Sequence, residues 1–248
     1  MDLIKTKSFQ LATYSKGDKN SKKLALVLPG KLDTKDYSHM KSHVNHLADL
    51  GFYALSFDPP GTWESPGDIN IYNTTSYLLA VNELISYFGN RPTFVMGHSR
   101  GASVAMIAGT RNPAIKSFVP IMPSFSERGF DHTRDEKWKT QGFIVSLRDL
   151  PPGGGPKIKE FRLPYSFFED QLKYEMTNDL KSSQKPKLII VGNKDANVSP
   201  DKVRELFFTL SKPKELYELN SDHNYRLDSH LIDEVNQVVE KFIQDYNV

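Results

Sequence analysis

The chain has 248 residues, 38% of them hydrophobic, which suits one large domain built on a buried sheet rather than two separate ones. Its 32 Lys and Arg nearly balance 30 Asp and Glu, and the net charge of +2 is spread along the chain without a basic stripe, so nucleic acid is excluded as an expected partner. There is no cysteine, hence no disulfide framework, thiolate metal site or cysteine nucleophile, and the absence of a signal-like or membrane-length apolar segment predicts a cytoplasmic protein that contacts no membrane.

The first stretch, 3–14, reads as a leading strand followed by a polar turn at 16–20. Short apolar runs then recur at 24–28, 52–57, 93–96, 117–121, 187–191 and 216–219, as strands buried on both faces of a parallel sheet require. Between or after them, 37–50, 74–88, 102–111, 200–210 and 229–246 carry apolar residues at helical spacing, for example Val81, Leu84, Ile85 and Phe88. This alternation predicts an α/β fold with a mostly parallel central sheet flanked by helices. In the first helix, His39 and His43 share a face at metal-ligand spacing. Asp36 and His46 lie beside them, but with Lys35 and Lys41 interleaved, no cysteine and no obvious acidic cluster elsewhere, a solvated face is the better reading, and no metal is expected.

At 93–101 a strand runs straight into Gly97-His98-Ser99-Arg100-Gly101 and on into an Ala-rich helix. Gly-x-Ser-x-Gly in a strand–turn–helix context predicts a sharp turn that lifts a nucleophilic Ser99 clear of the sheet, with glycines where side chains would collide. His98, inside the turn, is expected to pack or bond locally.

Between 125 and 186 the rhythm breaks, and aromatic residues such as Phe125, Phe130, Trp138, Phe143 and Phe167 mix with charges around a Pro/Gly run at 151–156. This segment reads as an inserted lid dividing a core of 1–124 and 187–248. Phe143, Val145 and Leu147, the Pro/Gly turn and then 158–163 predict a hairpin, closed off by a short helix over 166–180. Trp138, Phe143 and Phe167 are the lid's candidate substrate-binding residues. The Gly run lacks the Gly-Lys-Ser/Thr ending of a phosphate cradle.

A serine hydroxyl needs a histidine to take its proton and a carboxylate to hold that imidazole. Asp195 follows the strand at 187–191 and precedes a Ser-Pro helix start, and His223 follows the strand at 216–219. Both fall where Ser99 falls, at the C-terminal edge of a parallel sheet, in the chain order Ser, Asp, His. Asp222 is a poor rival, because a neighbour rarely folds back onto the adjoining imidazole, and His132 and His230 read as surface residues.

With these motifs the chain resembles the α/β-hydrolase superfamily: 24–30 as the oxyanion-loop strand, 57–61 as the next strand end, 97–101 as the nucleophile elbow, then Asp195 and His223. More narrowly, the hairpin-like insertion and the run 115–120 resemble bacterial carboxylesterases of the feruloyl and cinnamoyl ester type. The resemblance implies an oxyanion hole made by the backbone N–H groups of Arg100 and Lys31, with Pro29 standing where the family usually has histidine. The expected activity is hydrolysis of a small-molecule carboxylic ester through a Ser99–His223–Asp195 triad and an acyl-enzyme, without a cofactor. Thioester hydrolysis, small-amide or peptide hydrolysis and acyl transfer use the same triad, and a non-catalytic binding protein on this scaffold is the alternative of another class. The resemblance also places two long cations, Lys31 and Arg100, close to the reacting centre, which suggests a preference for anionic esters. The oligomeric state is left open.

Overall fold

The computed structural model describes residues 2–123, 132–152 and 157–247, without the side chains of 132–135. Phe125, Phe130 and the run 153–156 lie outside the described residues, as does the side chain of His132.

The leading segment is two strands, not one. Asp2–Lys5 (β1) and Gln10–Lys16 (β2) pair antiparallel, because Thr6 turns the chain by bonding the carbonyl of Phe9, and Glu83 accepts from the hydroxyls of Thr6 and Ser8. Leu24–Leu28 (β3), Ser38–Asp49 (α1), Tyr53–Phe57 (β4), Thr74–Tyr87 (α2), Thr93–His98 (β5), Arg100–Arg111 (α3) and Ile115–Ile121 (β6) follow. The core closes with Lys187–Gly192 (β9), Pro200–Thr209 (α7), Lys214–Leu219 (β10) and Ser229–Asp245 (α8). The eight-stranded sheet has the order β1-β2-β4-β3-β5-β6-β9-β10, parallel from β4 to β10.

Strand β3 shows why the apolar runs are unbroken. Leu24, Leu26 and Leu28 pack towards α2 and α3, while Ala25 and Val27 pack towards α1 and α8, so both faces are covered by helices. Helix starts are chemically marked: the Asn73 side chain accepts from the N–H of Ser76 at the head of α2, and Ser199 with Pro200 opens α7.

The segment between β6 and β9 contains His132–Gln141 (α4), the antiparallel strands Phe143–Asp149 (β7) and Ile158–Pro164 (β8), and the short helices Ser166–Gln171 (α5) and Thr177–Ser182 (α6). Helix α4 is too polar to show an apolar face in sequence. Where one helix is expected over 166–180 there are two. Asp170 is drawn to the start of α2, where it accepts from the N–H and hydroxyl of Thr75, and the Glu175 carboxylate then accepts from the N–H groups of Thr177 and Asn178 and starts a new helix. A third apolar cluster ties this segment to the core: Trp138, Phe161, Leu163, Phe167 and Phe168 pack with Leu32 and Tyr72. Among the described residues no helix is long and apolar enough to cross a membrane.

Candidate active site

Ser99 ends β5 and caps α3 with φ 54° and ψ −114°, a backbone conformation that a non-glycine residue holds only under restraint. The restraints are visible. The N–H of Ser99 donates to the carbonyl of Ile121 at 2.9 Å, and its own carbonyl accepts from Ser103 at 3.1 Å. The two elbow glycines are needed for different reasons. A Cβ on Gly97 would overlap the backbone of Gly101, whereas one on Gly101 would strike the carbonyl oxygens of Leu28 and Pro29 at the end of β3. The elbow therefore sits directly against the loop leaving β3.

Asp195 and His223 lie on the loops after β9 and β10, which are stitched together by Asn193 N–H to Leu219 O (2.9 Å) and Lys194 N–H to Ser221 O (3.0 Å). The three side chains meet. His223 Nε2 is 2.9 Å from Ser99 Oγ, and His223 Nδ1 is 2.7 Å from Asp195 Oδ2. The other carboxylate oxygen, Oδ1, accepts from the N–H groups of Asn197 (2.8 Å) and Val198 (3.0 Å). Burial pushes the Asp195 carboxyl up, but hydrogen bonds from His223 and Val198 outweigh it and hold the group below its ordinary value. A charged Asp195 keeps the proton on Nδ1 and leaves the Nε2 lone pair facing the hydroxyl. Ser99 and His223 are partly exposed, whereas Asp195 is buried.

Arg100 opens α3, so its N–H points out of the helix's N-terminal end. Its side chain turns away to the segment between β6 and β9. The guanidinium lies 4.0 Å from the ring centre of Phe167 and donates to Thr74 Oγ1 (2.9 Å) and Gln171 Oε1 (3.3 Å), so this cation is committed to holding α5 and does not serve an anionic substrate group as the sequence suggested. Loop residue Lys31 is half-buried. It stands in a turn, Gly30 to Asp33, closed by the N–H of Asp33 on the carbonyl of Gly30 at 3.2 Å.

Two other expectations need correcting. His39 and His43 do not form a solvated helix face: both are fully buried, because α8 and the loop carrying Tyr225 cover α1. His43 Nδ1 pairs with Asn236 Oδ1 (2.6 Å) and Nε2 with the Tyr225 hydroxyl (2.8 Å); burial lowers its pKa to about 4. Asn236 Nδ2 donates to Ser42, so Asn236 Oδ1 accepts from an Nδ1–H on the neutral ring. The second correction concerns Phe143, which points outward. In β7 the row Phe143, Val145 and Leu147 is exposed, while Ile144, Ser146 and Arg148 face the protein. The inward row must meet a polar partner, the loop after β3, and only the alternate register offers an arginine to it. Trp138 and Phe167 are buried in the third cluster, Trp138 with its indole N–H on the carbonyl of Leu163 at 3.1 Å.

His98 bonds locally, Nε2 standing 3.0 Å from the carbonyl of His223, and burial keeps it well below its ordinary pKa. Asp222 accepts from the N–H of Asn224, and His230 is exposed. Asp33, His39 and His98 are buried with ligand atoms within 4.8 Å of one another, the spacing of a candidate metal group. Arg148 Nη2 already stands 3.2 Å from Asp33 Oδ1, so a dication there would share the carboxylate with a guanidinium. Asp33, Arg148, Tyr72 and Trp63 carry no local motif and escaped the sequence reading; the inward register of Arg148 in β7 is the one signal that points to it.

No family model matches the chain. It is 30% identical over 139 residues to the lysophosphatidylserine lipase ABHD12 of Danio rerio, a match covering 56% of this chain and 36% of that protein; the chain thus spans about a third of the length of the curated relative it matches. The whole chain superposes on Est1E from Butyrivibrio proteoclasticus with ferulic acid bound, with a TM-score of 0.74, 18% identity, and 99% and 98% of the two chains covered. The alpha/beta hydrolase domain-containing protein 10 from mouse is similar with a TM-score of 0.78, 16% identity, and 99% and 98% covered.

Proposed function

The chain has the α/β-hydrolase fold, and we propose that it is a serine hydrolase that cleaves carboxylic esters of small molecules. The observation that carries this reading is the continuous relay Ser99 Oγ, His223 Nε2, His223 Nδ1, Asp195 Oδ2, with links of 2.9 and 2.7 Å. The similarity to the lysophosphatidylserine lipase ABHD12 supports ester chemistry, while Est1E with ferulic acid bound and a thioesterase domain from the curacin biosynthetic pathway superpose about equally well, with TM-scores of 0.74 and 0.73.

In the proposed reaction Ser99 Oγ bonds to the ester carbonyl carbon as its proton passes to His223 Nε2, and the carbonyl electron pair moves onto oxygen. The resulting oxyanion is held by the N–H groups of Arg100, at the head of α3, and of Lys31. The loop donor is assigned to Lys31 by the resemblance to the α/β-hydrolase superfamily, and the next N–H, that of Leu32, is bonded to the Tyr72 hydroxyl at 2.9 Å. As the oxyanion collapses, the bond to the leaving alcohol breaks and His223 returns the proton to it. Water, losing a proton to His223, then attacks the acyl-Ser99, and as the bond to Oγ breaks His223 returns the proton to Ser99 and the acid is released. Each oxyanion donor is expected to contribute about 10²–10³ in rate.

The test is a panel of p-nitrophenyl esters with matched thioesters and anilides, assayed with Ser99→Ala and His223→Ala beside the wild type. Ester turnover and fluorophosphonate labelling that both vanish in Ser99→Ala support the reading. Thioesters turning over much faster than esters would move the function to thioesterase, and wild type that neither turns over nor labels would leave a binding scaffold.

A further inference from the structure

The turn that carries Lys31 is strained at its third residue. Leu32 has φ 57°, a value that glycine or asparagine favours at this position of a type II turn and that a leucine pays for in steric energy. The peptide unit between the second and third residues of the turn, Lys31–Leu32, follows directly on the Gly30–Lys31 unit that carries the Lys31 N–H. Both ends of the Lys31–Leu32 unit are gripped by side chains from elsewhere in the chain. Its carbonyl, on Lys31, accepts from Arg148 Nη2, and its N–H, on Leu32, donates to the Tyr72 hydroxyl at 2.9 Å. The next carbonyl, on Leu32, accepts from the indole N–H of Trp63 at 2.9 Å.

Arg148 is itself aimed by Asp33, whose Oδ1 lies 3.2 Å from Nη2. Its neighbour Asp149 reaches the other catalytic loop. Arg226, three residues beyond His223, donates to both Asp149 carboxylate oxygens at 2.9 and 3.0 Å, and the Tyr37 hydroxyl donates to the Asp149 carbonyl at 2.8 Å. Adjacent residues of β7 thus hold the loop of Lys31 and the loop of His223.

We infer that the hairpin of β7 and β8 sets the oxyanion loop, with Arg148 as a positioning residue that holds the strained Lys31–Leu32 peptide and so aims the adjoining Lys31 N–H. This rests on the acyl-transfer reading of the site. Arg148 touches no reacting atom in this scheme. Removing it frees the torsions of Lys31 and Leu32, which weakens binding of the transition state and leaves binding of the substrate as it was.

The experiment compares Arg148→Ala and Tyr72→Phe, which remove the two grips separately, with Arg162→Gln, an exposed change on the same hairpin. Expected for the first two is kcat lower by about 10- to 100-fold with KM within about twofold, and a trifluoromethyl ketone bound more weakly by the same factor as kcat/KM. Arg162→Gln stays at the wild-type rate, and added methylguanidinium restores part of the rate of Arg148→Ala. Tyr72→Phe keeps the ring stacked on Phe167 and serves if Arg148→Ala fails to fold. Wild-type kcat in both grip variants, or a loss confined to KM, overturns the inference. Should wild type be labelled at Ser99 while both variants turn over normally, the proposed function stands and the positioning role falls; wild type that is never acylated removes both.

Discussion

In the proposed function, Ser99 becomes a nucleophile through a chain of small electrostatic choices. Asp195 receives two backbone N–H bonds on one oxygen and His223 on the other, so its charge survives burial. Because its folded pKa is lowered, its stabilising effect is present above the ordinary carboxylate range and is lost as pH falls through the folded value. Asp195→Asn preserves the shape but offers an amide N–H to Nδ1, which shifts the proton to Nε2 and turns the wrong face to Ser99. The expected result is a fall in kcat of about 10⁴-fold with the melting temperature nearly unchanged, read from steady-state kinetics beside calorimetry. A loss below tenfold would mean that Asp195 does not orient the imidazole. These three residues were legible in sequence because each sits just past an apolar strand, in an order and context that chemistry recognises. Arg148 and Tyr72 were not, since they meet the loop of Lys31 from 117 and 40 residues away and no local pattern announces such a contact.

The elements explain which parts of the architecture could be read in advance. Fully buried strands such as β3, β5 and β9 announce themselves as apolar runs, and α2 or α8 by helical spacing. Helix α4 was invisible because, among its described side chains, Trp138 is the single buried apolar anchor in a run of charges. The burial of His39 and His43 was equally hidden, because it depends on α8 crossing α1 almost two hundred residues later. At the junction of β5 and α3 the decisive feature is the absence of side chains. Gly101→Ala would drive a methyl group into the end of β3, and the only relief is separation of the elbow from the oxyanion loop. We expect a loss of about 1–3 kcal/mol in urea unfolding together with much slower fluorophosphonate labelling. Native stability and native labelling in this variant would contradict the close packing of elbow and loop.

For the molecule as a whole, the layer between α1, α8 and the sheet encloses His39, His43 and His98, each kept neutral chiefly by burial, with His43 near 4. The sign follows directly. Their folded pKa values lie below 6.5, so between that value and the folded ones the unfolded chain binds protons that the native state refuses, and stability falls as pH falls. Each histidine contributes a slope of up to about 1.4 kcal/mol per pH unit in that window. Thermal unfolding between pH 7 and 5 should show a steady fall in midpoint, and a flat profile would contradict the burial of the three rings. The central claim, however, concerns the rim above this layer, where loops from β3, β5, β9 and β10 converge with the hairpin of β7 and β8. It is tested most directly by quenching the wild-type protein during turnover of a p-nitrophenyl ester and sequencing its peptides by mass spectrometry. The account predicts the mass of one acyl group on the peptide containing Ser99, absent from Ser99→Ala and accumulating when His223 is replaced only if acylation survives. Rapid turnover with Ser99 unmodified, or with the acyl group on another residue, would contradict it.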